Sequence, residues 1–86
     1  MGKLRITYRT NRLEYSRLGF AVSRKYGNAV QRNRFKRQLR DCFRSSDCHL
    51  MGLDLLIIPA SNALQMEYPR HDFRQALALI QRKVLP

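Results

Sequence analysis

A run of basic side chains between residues 24 and 44 is the part of this sequence best suited to binding chemistry. It contains eight of the seventeen Lys and Arg residues and one acid, Asp41, so it carries most of the net charge of +11. Like charges three or four residues apart on a helix repel and cost a few tenths of a kcal/mol per pair. A phosphate backbone offsets that cost through bidentate hydrogen bonds to Arg and counterion release. We therefore expect a nucleic-acid partner rather than an ordinary solvated charged surface.

The same run has the periodicity of a helix with two basic edges. Asn28 and Gln31 have the spacing of a capping box, and a helix of about 16 residues is expected to follow. At about 100° per residue the apolar positions share one arc, which should face a core. They are Phe35, Leu39, Cys42 and Phe43. A polar row, with Arg34 beside it, lies nearly opposite: Asn33, Arg37, Arg40 and Arg44. Arg32 and Lys36 fall on the seam between the two arcs.

Polar groups that could converge on a catalytic centre are scarce. The six acids are scattered singly, and there is no Gly-rich phosphate loop. His49 and His71 lie in polar segments, and Cys42 and Cys48 lack the paired spacing of a zinc site. The sequence predicts a binding protein with no catalytic residue, metal or cofactor of its own, so any chemistry belongs to a partner.

Length and composition predict one domain over residues 1–86. Hydrophobic residues make up 44% of the chain, which is typical of a globular fold. No apolar run approaches the roughly 20 residues of a membrane span, and the start lacks the pattern of a signal peptide. With only two cysteines, a disulfide framework is not expected. These features favour a cytoplasmic protein without a membrane partner.

Alternating patterns predict two strands before the basic helix, one through Leu4, Ile6 and Tyr8 and one over 17–23, joined as a hairpin. The nearly continuous apolar run 53–60 predicts a strand covered on both faces. Asp72 and Gln75 have the spacing of a second capping box, which predicts a final packing helix. The order indicates an α/β (α+β) two-layer sandwich with helices against a small sheet. One sheet face should remain poorly covered or belong to a missing element.

Aromatic residues on the sheet and last helix have two interpretations. Core packing is the ordinary one for Tyr8, Phe20 and Phe73. The alternative is stacking on unpaired bases in a groove whose phosphate-binding rim contains Arg32 and Lys36. Tyr8 is the best single candidate for such stacking.

Two segments carry a family resemblance: Arg17-Leu-Gly-Phe-Ala-Val-Ser-Arg-Lys, and the stretch from Gly27 to Arg44. The second contains the triplet Arg32-Asn33-Arg34, followed by Lys36-Arg37 and Arg40. Together they closely resemble the bacterial ribonuclease P protein component, and the likeness continues more weakly to the last helix. The resemblance implies a small mixed sheet with helices on one side and a ribosomal-protein-like, left-handed β-α-β connection. Because the chain starts directly before the first strand, the family's first helix, which lines the leader cleft, is expected to be absent.

The resemblance also implies a function. Proteins of this family assist a catalytic RNA that removes the 5′ leader of precursor tRNA, with Mg²⁺ at an active site in the RNA and no further protein partner required. Residues expected to bind the RNA subunit are Arg24, Lys25, Arg34, Arg37 and Arg44. Residues expected nearer the leader are Arg32, Asn33, Lys36, Arg40, Tyr8 and Phe20.

Two other functions fit a basic helix. One is a DNA-binding module with the helix in the major groove, where Arg and Asn read bases. The other is a protein-only nuclease, which the scattered carboxylates make the weakest alternative.

Overall fold

The described residues form a three-stranded sheet packed against two long helices. The computed structural model describes residues 4–66 and 68–84. The elements are β1 (Leu4–Thr10), β2 (Arg17–Phe20), α1 (Ala29–Arg44), a 3₁₀ turn (Asp47–Leu50), β3 (Leu53–Pro59) and α2 (Pro69–Val84). This arrangement confirms the predicted α+β class, with a small mixed sheet. The second strand ends at Phe20 rather than at Ser23.

The strand order in the sheet is β1-β3-β2. β3 pairs antiparallel with β1 and parallel with β2, so the hairpin expected between β1 and β2 is wrong. β3 is the most apolar strand, and the centre of the sheet gives it a hydrogen-bonded neighbour on each side. The parallel pairing makes β2-α1-β3 a crossover connection. Its left hand remains an expectation from the family resemblance.

Both helices cover the same face of this sheet. Leu55 aligns with Tyr8 and Leu18, and the next row on that face is Ile6, Ile57 and Phe20. The core joins this face to the buried sides of the two helices: Phe35, Leu39, Cys42 and Phe43 of α1, and Phe73, Leu77 and Ile80 of α2. The predicted apolar arc of α1 is therefore confirmed.

The other sheet face is open over the described residues. Leu56 points to that face and is 40% exposed, whereas its neighbours Leu55 and Ile57 are buried. The expectation that this strand is covered on both faces is wrong, because an apolar run alone does not show how many layers surround it. The expectation of one poorly covered face is confirmed.

The two helix starts differ in how well the sequence predicted them. At α1 the Gln31 N–H donates to Asn28 Oδ1 and the Asn28 N–H donates to Gln31 Oε1, both at 2.8 Å, so the capping box is present. α2 begins at Pro69, whose fixed φ suits the first helical position. The Asp72 N–H already donates to the Tyr68 carbonyl at 3.2 Å within that first turn, so the capping box predicted at Asp72 is wrong.

Asp54 on β3 ties both edge strands to the centre of the sheet. Arg17 of β2 donates to its two carboxylate oxygens at 2.8 and 2.7 Å, and Asn11 Nδ2 donates to Oδ1 at 2.9 Å. Arg9 of β1 lies 4.0 Å away. The hydrogen bonds from Arg17, then those from Asn11, lower the pKa of Asp54 from 3.8 to about 2. The ionised carboxylate is therefore favoured in the folded state.

Replacing Asp54 should remove a pH-dependent part of the stability. With a folded pKa of about 2 and an ordinary value of 3.8, the Asp54 contribution is complete above the ordinary value and is lost as the pH falls through about 2. The free energy of unfolding of Asp54→Asn should lie below that of the parent protein at pH 6, and the gap should narrow between pH 4 and 2. Urea titrations across this range measure the gap. In an Arg17→Ala background the same substitution should have a smaller effect; an equal effect would rule out the ion pair as its cause.

Candidate nucleic-acid interface

The structure places the basic residues of α1 on the side of the helix away from the core. Asn33, Arg34, Arg37, Arg40 and Arg44 are exposed, whereas Arg32 and Lys36 are half-buried at the boundary. The positions predicted from helical periodicity are therefore confirmed, although periodicity does not show what the side chains bind.

These cations have no acidic partner within residues 4–66 and 68–84. The salt bridges of this part of the chain join Asp54 to Arg9 and to Arg17, both outside α1. Arg32 Nη1 donates to the Gly27 carbonyl at 2.7 Å, so this side chain also supports the turn before the helix. The Arg40 guanidinium lies 5.4 Å from the centroid of the Phe20 ring, within cation–π range. The positive charge of α1 is thus largely available to an external anion.

A groove of about 460 Å³, the helix groove, runs along this exposed side of α1. Its lining residues are Asn33, Lys36, Arg37, Arg40, Asp41 and Arg44. Lys36 and Arg40 come from the residues predicted for the leader, and Arg37 and Arg44 from those predicted for the RNA subunit. The two predicted edges therefore meet in one groove.

A second groove, the junction groove, crosses from α1 to α2 and measures about 420 Å³. Its lining residues are Val30, Asn33, Arg34, Arg37, Gln38 and Arg70. Arg70 was not among the predicted residues, because α2 was expected to begin only at Asp72. If the start of α2 at Pro69 had been recognised in the sequence, Arg70 would have been identified as a helical residue one turn before the buried Phe73.

Arg24 and Lys25 are exposed in the turn that leads into α1. The Tyr26 N–H closes this turn by donating to the Ser23 carbonyl at 3.0 Å. Tyr26 itself is buried, with its ring centroid 4.9 Å from that of Phe35. The burial also raises the pKa of Tyr26 by desolvation. Core packing therefore fixes the turn that presents the two cations.

The structure brings one of the two predicted aromatic residues to the basic helix. Phe20 is half-buried and packs edge-on against Phe35, with a centroid separation of 6.2 Å. Tyr8 is 37% exposed but lies on β1, with β3 between it and β2. Two strand spacings amount to about 10 Å. Tyr8 lines a separate shallow cavity of about 360 Å³ with Arg9, so it is not part of either α1 groove.

Other kinds of site are not seen in the described residues. They contain no group of three or more His, Cys, Asp or Glu side chains that could hold a metal ion. Both cysteines are free and buried, and burial raises the pKa of the Cys48 thiol. Among the described helices, none has the length and hydrophobicity needed to cross a membrane.

Comparison with known proteins identifies the family. The sequence profile of the family Ribonuclease P matches residues 2–83. The chain belongs to the ribonuclease P protein family. It is 42% identical over 69 residues to the ribonuclease P protein component of Thermotoga maritima, covering 79% of this chain and 58% of that protein. It is 48% identical over 54 residues to that of Finegoldia magna, covering 62% of this chain and 48% of that protein. The chain thus spans about half the length of these curated relatives.

Solved structures of ribonuclease P proteins share the fold. The Thermotoga maritima protein superposes with a TM-score of 0.71 at 32% identity, covering 92% of this chain and 76% of that one. The Staphylococcus aureus protein gives a TM-score of 0.70 at 28% identity, covering 95% and 74%. The resemblance stated from the Arg32-Asn33-Arg34 region is confirmed, as is the small mixed sheet with helices that it implied. The expectation that the family's first helix is absent concerns the chain before residue 4 and lies outside the described residues.

Because the α1 cations repel one another, removing one should stabilise the protein in the absence of RNA. Lys36 has Arg32 and Arg40 four residues away on either side. Lys36→Gln should raise the free energy of unfolding by about 0.4 to 1 kcal/mol at low salt, with little change in helix propensity. The gain should shrink at high salt, where the repulsion is screened.

Urea unfolding at two salt concentrations measures this effect. Lys83→Gln is the matched control, because Lys83 lies in the last turn of α2 and has no basic residue three or four positions away. Equal changes in Lys36→Gln and Lys83→Gln would show that repulsion within α1 is not the cause.

Proposed function

We propose that this protein is the protein subunit of ribonuclease P, which binds the catalytic RNA through α1 and assists binding of the 5′ leader of precursor tRNA. The observation that carries the proposal is the exposed basic side of α1, whose Arg and Lys residues have no carboxylate partner in the described part of the chain. RNA phosphates supply the missing negative charge and reward clustered Arg with bidentate hydrogen bonds. Membership of the family supports RNA as the polyanion in preference to DNA.

In this proposal the RNA subunit is bound mainly by the outward-facing cations. They are Arg24, Lys25, Arg34, Arg37 and Arg44. The last three are on α1, whose rotation is fixed by the buried Phe35 and Leu39, so their backbone positions are set before binding. Contacts of this kind position the protein on the RNA and are largely independent of base sequence.

The leader is assigned to the seam between α1 and β2. Its residues are Arg32, Lys36, Arg40 and Phe20. The proposal also includes Asn33, which lies farther round α1 on the exposed side, and Tyr8, which lies at the opposite edge of the sheet. Arg40 lies against Phe20 and also lines the helix groove, so it can contact a phosphate while the aromatic ring holds its guanidinium in place. A leader that also reached Tyr8 would have to cross the sheet, about two strand spacings.

The proposed division of chemistry leaves phosphodiester hydrolysis to the RNA. Mg²⁺ would act at the active site of the RNA, and the protein would neutralise phosphate charge and hold the two RNAs together. Such a protein lowers the Mg²⁺ concentration needed for cleavage, because its cations replace part of the ionic screening. It works in the cytoplasm and requires no other protein.

Reconstitution tests this proposal. The protein is combined with a bacterial ribonuclease P RNA and a precursor tRNA, and leader release is followed at low Mg²⁺. We expect cleavage by the mixture and none by the protein alone. The proposal is contradicted if the protein does not increase leader release over that of the RNA alone at the same Mg²⁺ concentration. It is also contradicted if the protein without RNA cleaves in a metal-dependent way and a single carboxylate substitution abolishes that cleavage.

Substitution of one groove cation should change the salt dependence of binding. For Arg37→Ala we expect weaker binding to the catalytic RNA and a slope of log K against log salt reduced by about one unit, since one phosphate contact is lost. Binding titrations at four or more salt concentrations measure the slope. Arg82→Ala removes an exposed cation from the far end of α2 and should leave the slope unchanged. An unchanged slope for Arg37→Ala would remove this residue from the interface.

A further inference from the structure

The junction groove brings cations of two different helices together. Arg34 and Arg37 come from α1 and Arg70 comes from α2, and all three line the same groove. Its other lining residues are neutral: Val30, Asn33 and Gln38. The groove therefore has three guanidinium groups and no carboxylate among its lining residues, which makes it more uniformly basic than the helix groove with its Asp41.

Packing of the neighbouring residues fixes the backbone position of Arg70. The preceding residue, Pro69, is buried and starts α2, and Phe73, one turn later, is fully buried in the core. Arg34 additionally lines a small cavity of about 190 Å³ together with Pro69 and Met66, so it lies in the seam where α2 begins. The backbone positions of Arg34 and Arg70 are thus set by the same contact between α1 and α2.

The chemistry of the groove suits a sugar-phosphate backbone. A guanidinium binds phosphate oxygens in a bidentate manner, and three of them can follow successive phosphates. The amides of Asn33 and Gln38 can donate to or accept from ribose 2′-hydroxyls, which proteins contact together with phosphates when they bind helical RNA. Within the described residues none of the three arginines has a carboxylate partner that would compete with such a ligand.

We propose that Arg34, Arg37 and Arg70 form a two-helix clamp for the phosphate backbone of the catalytic RNA. The inference rests on the proposed function and adds α2 to the binding surface. A single basic helix leaves the protein free to pivot about the helix axis on an RNA surface. A contact from α2 removes that freedom, because α1 and α2 are locked together by the core. The clamp therefore orients the protein on the RNA as well as adding affinity.

Binding of Arg70→Ala to the catalytic RNA tests the clamp. We expect the slope of log K against log salt to decrease in magnitude by about one unit, so that for each fourfold drop in salt concentration the variant gains roughly three- to fourfold less affinity than the parent protein. Arg70→Lys keeps the point charge and should retain most of the slope while losing affinity, since the bidentate contact is gone. Arg82→Ala, another exposed arginine of α2, should behave like the parent protein.

The controls separate failure of the clamp from failure of the proposed function. If the parent protein does not bind the catalytic RNA, the proposed function fails. If the parent binds and Arg37→Ala weakens binding, but Arg70→Ala matches Arg82→Ala in affinity and slope, only the clamp is overturned. The clamp on the catalytic RNA is also overturned if Arg70→Ala weakens binding of precursor tRNA to the assembled complex without affecting assembly. Arg70 is exposed, and a thermal unfolding curve like that of the parent protein confirms that each variant is folded.

Discussion

The hydrophobic core shared by the buried side of α1, α2 and the helix-facing side of the sheet is the constraint on which the basic surface depends. Phe35 and Leu39 are almost fully buried, as are Leu55 and Ile57 on the helix-facing side of β3. Burying these side chains contributes on the order of 1.5 to 3 kcal/mol each, more than repulsion between neighbouring charges costs. The core therefore sets the rotation of α1, and the cations occupy the side that remains.

Electrostatics in this protein are divided between two regions with opposite roles. At Asp54, one carboxylate is paired with Arg17 of β2 and hydrogen-bonded to Asn11, the residue that follows β1, so these contacts add to the backbone pairing of β3 with both edge strands. On α1 the cations are left without acidic partners in the described part of the chain, which lowers the stability of the protein and leaves their charge available to an anion. A protein that satisfied the α1 charges internally would gain stability and lose the electrostatic part of the proposed RNA binding.

Features set by local periodicity were predictable, and features set by distant contacts were not. The start of α1, its length and its two faces follow from the Asn28–Gln31 spacing and a 3.6-residue period, all within one short segment. Alternation along β1 and β2 shows which side chains share a face, but it does not show which strand lies between them. The role of Asp54 was equally hidden, since Arg17 is 37 residues away in the chain. Arg70 was missed because the start of α2 depends on Pro69.

The position of Arg37 limits how separate the two proposed RNA-binding tasks can be. It lines both the helix groove and the junction groove, as does Asn33. A helical wheel divides α1 into two edges because it treats each side chain as a direction from the axis. Long arginine side chains on a real surface reach into both grooves, so phosphate bound in one groove reduces the positive potential felt in the other. If the catalytic RNA and the leader occupy neighbouring grooves, their binding is therefore linked through these shared residues, and a substitution at Arg37 affects both.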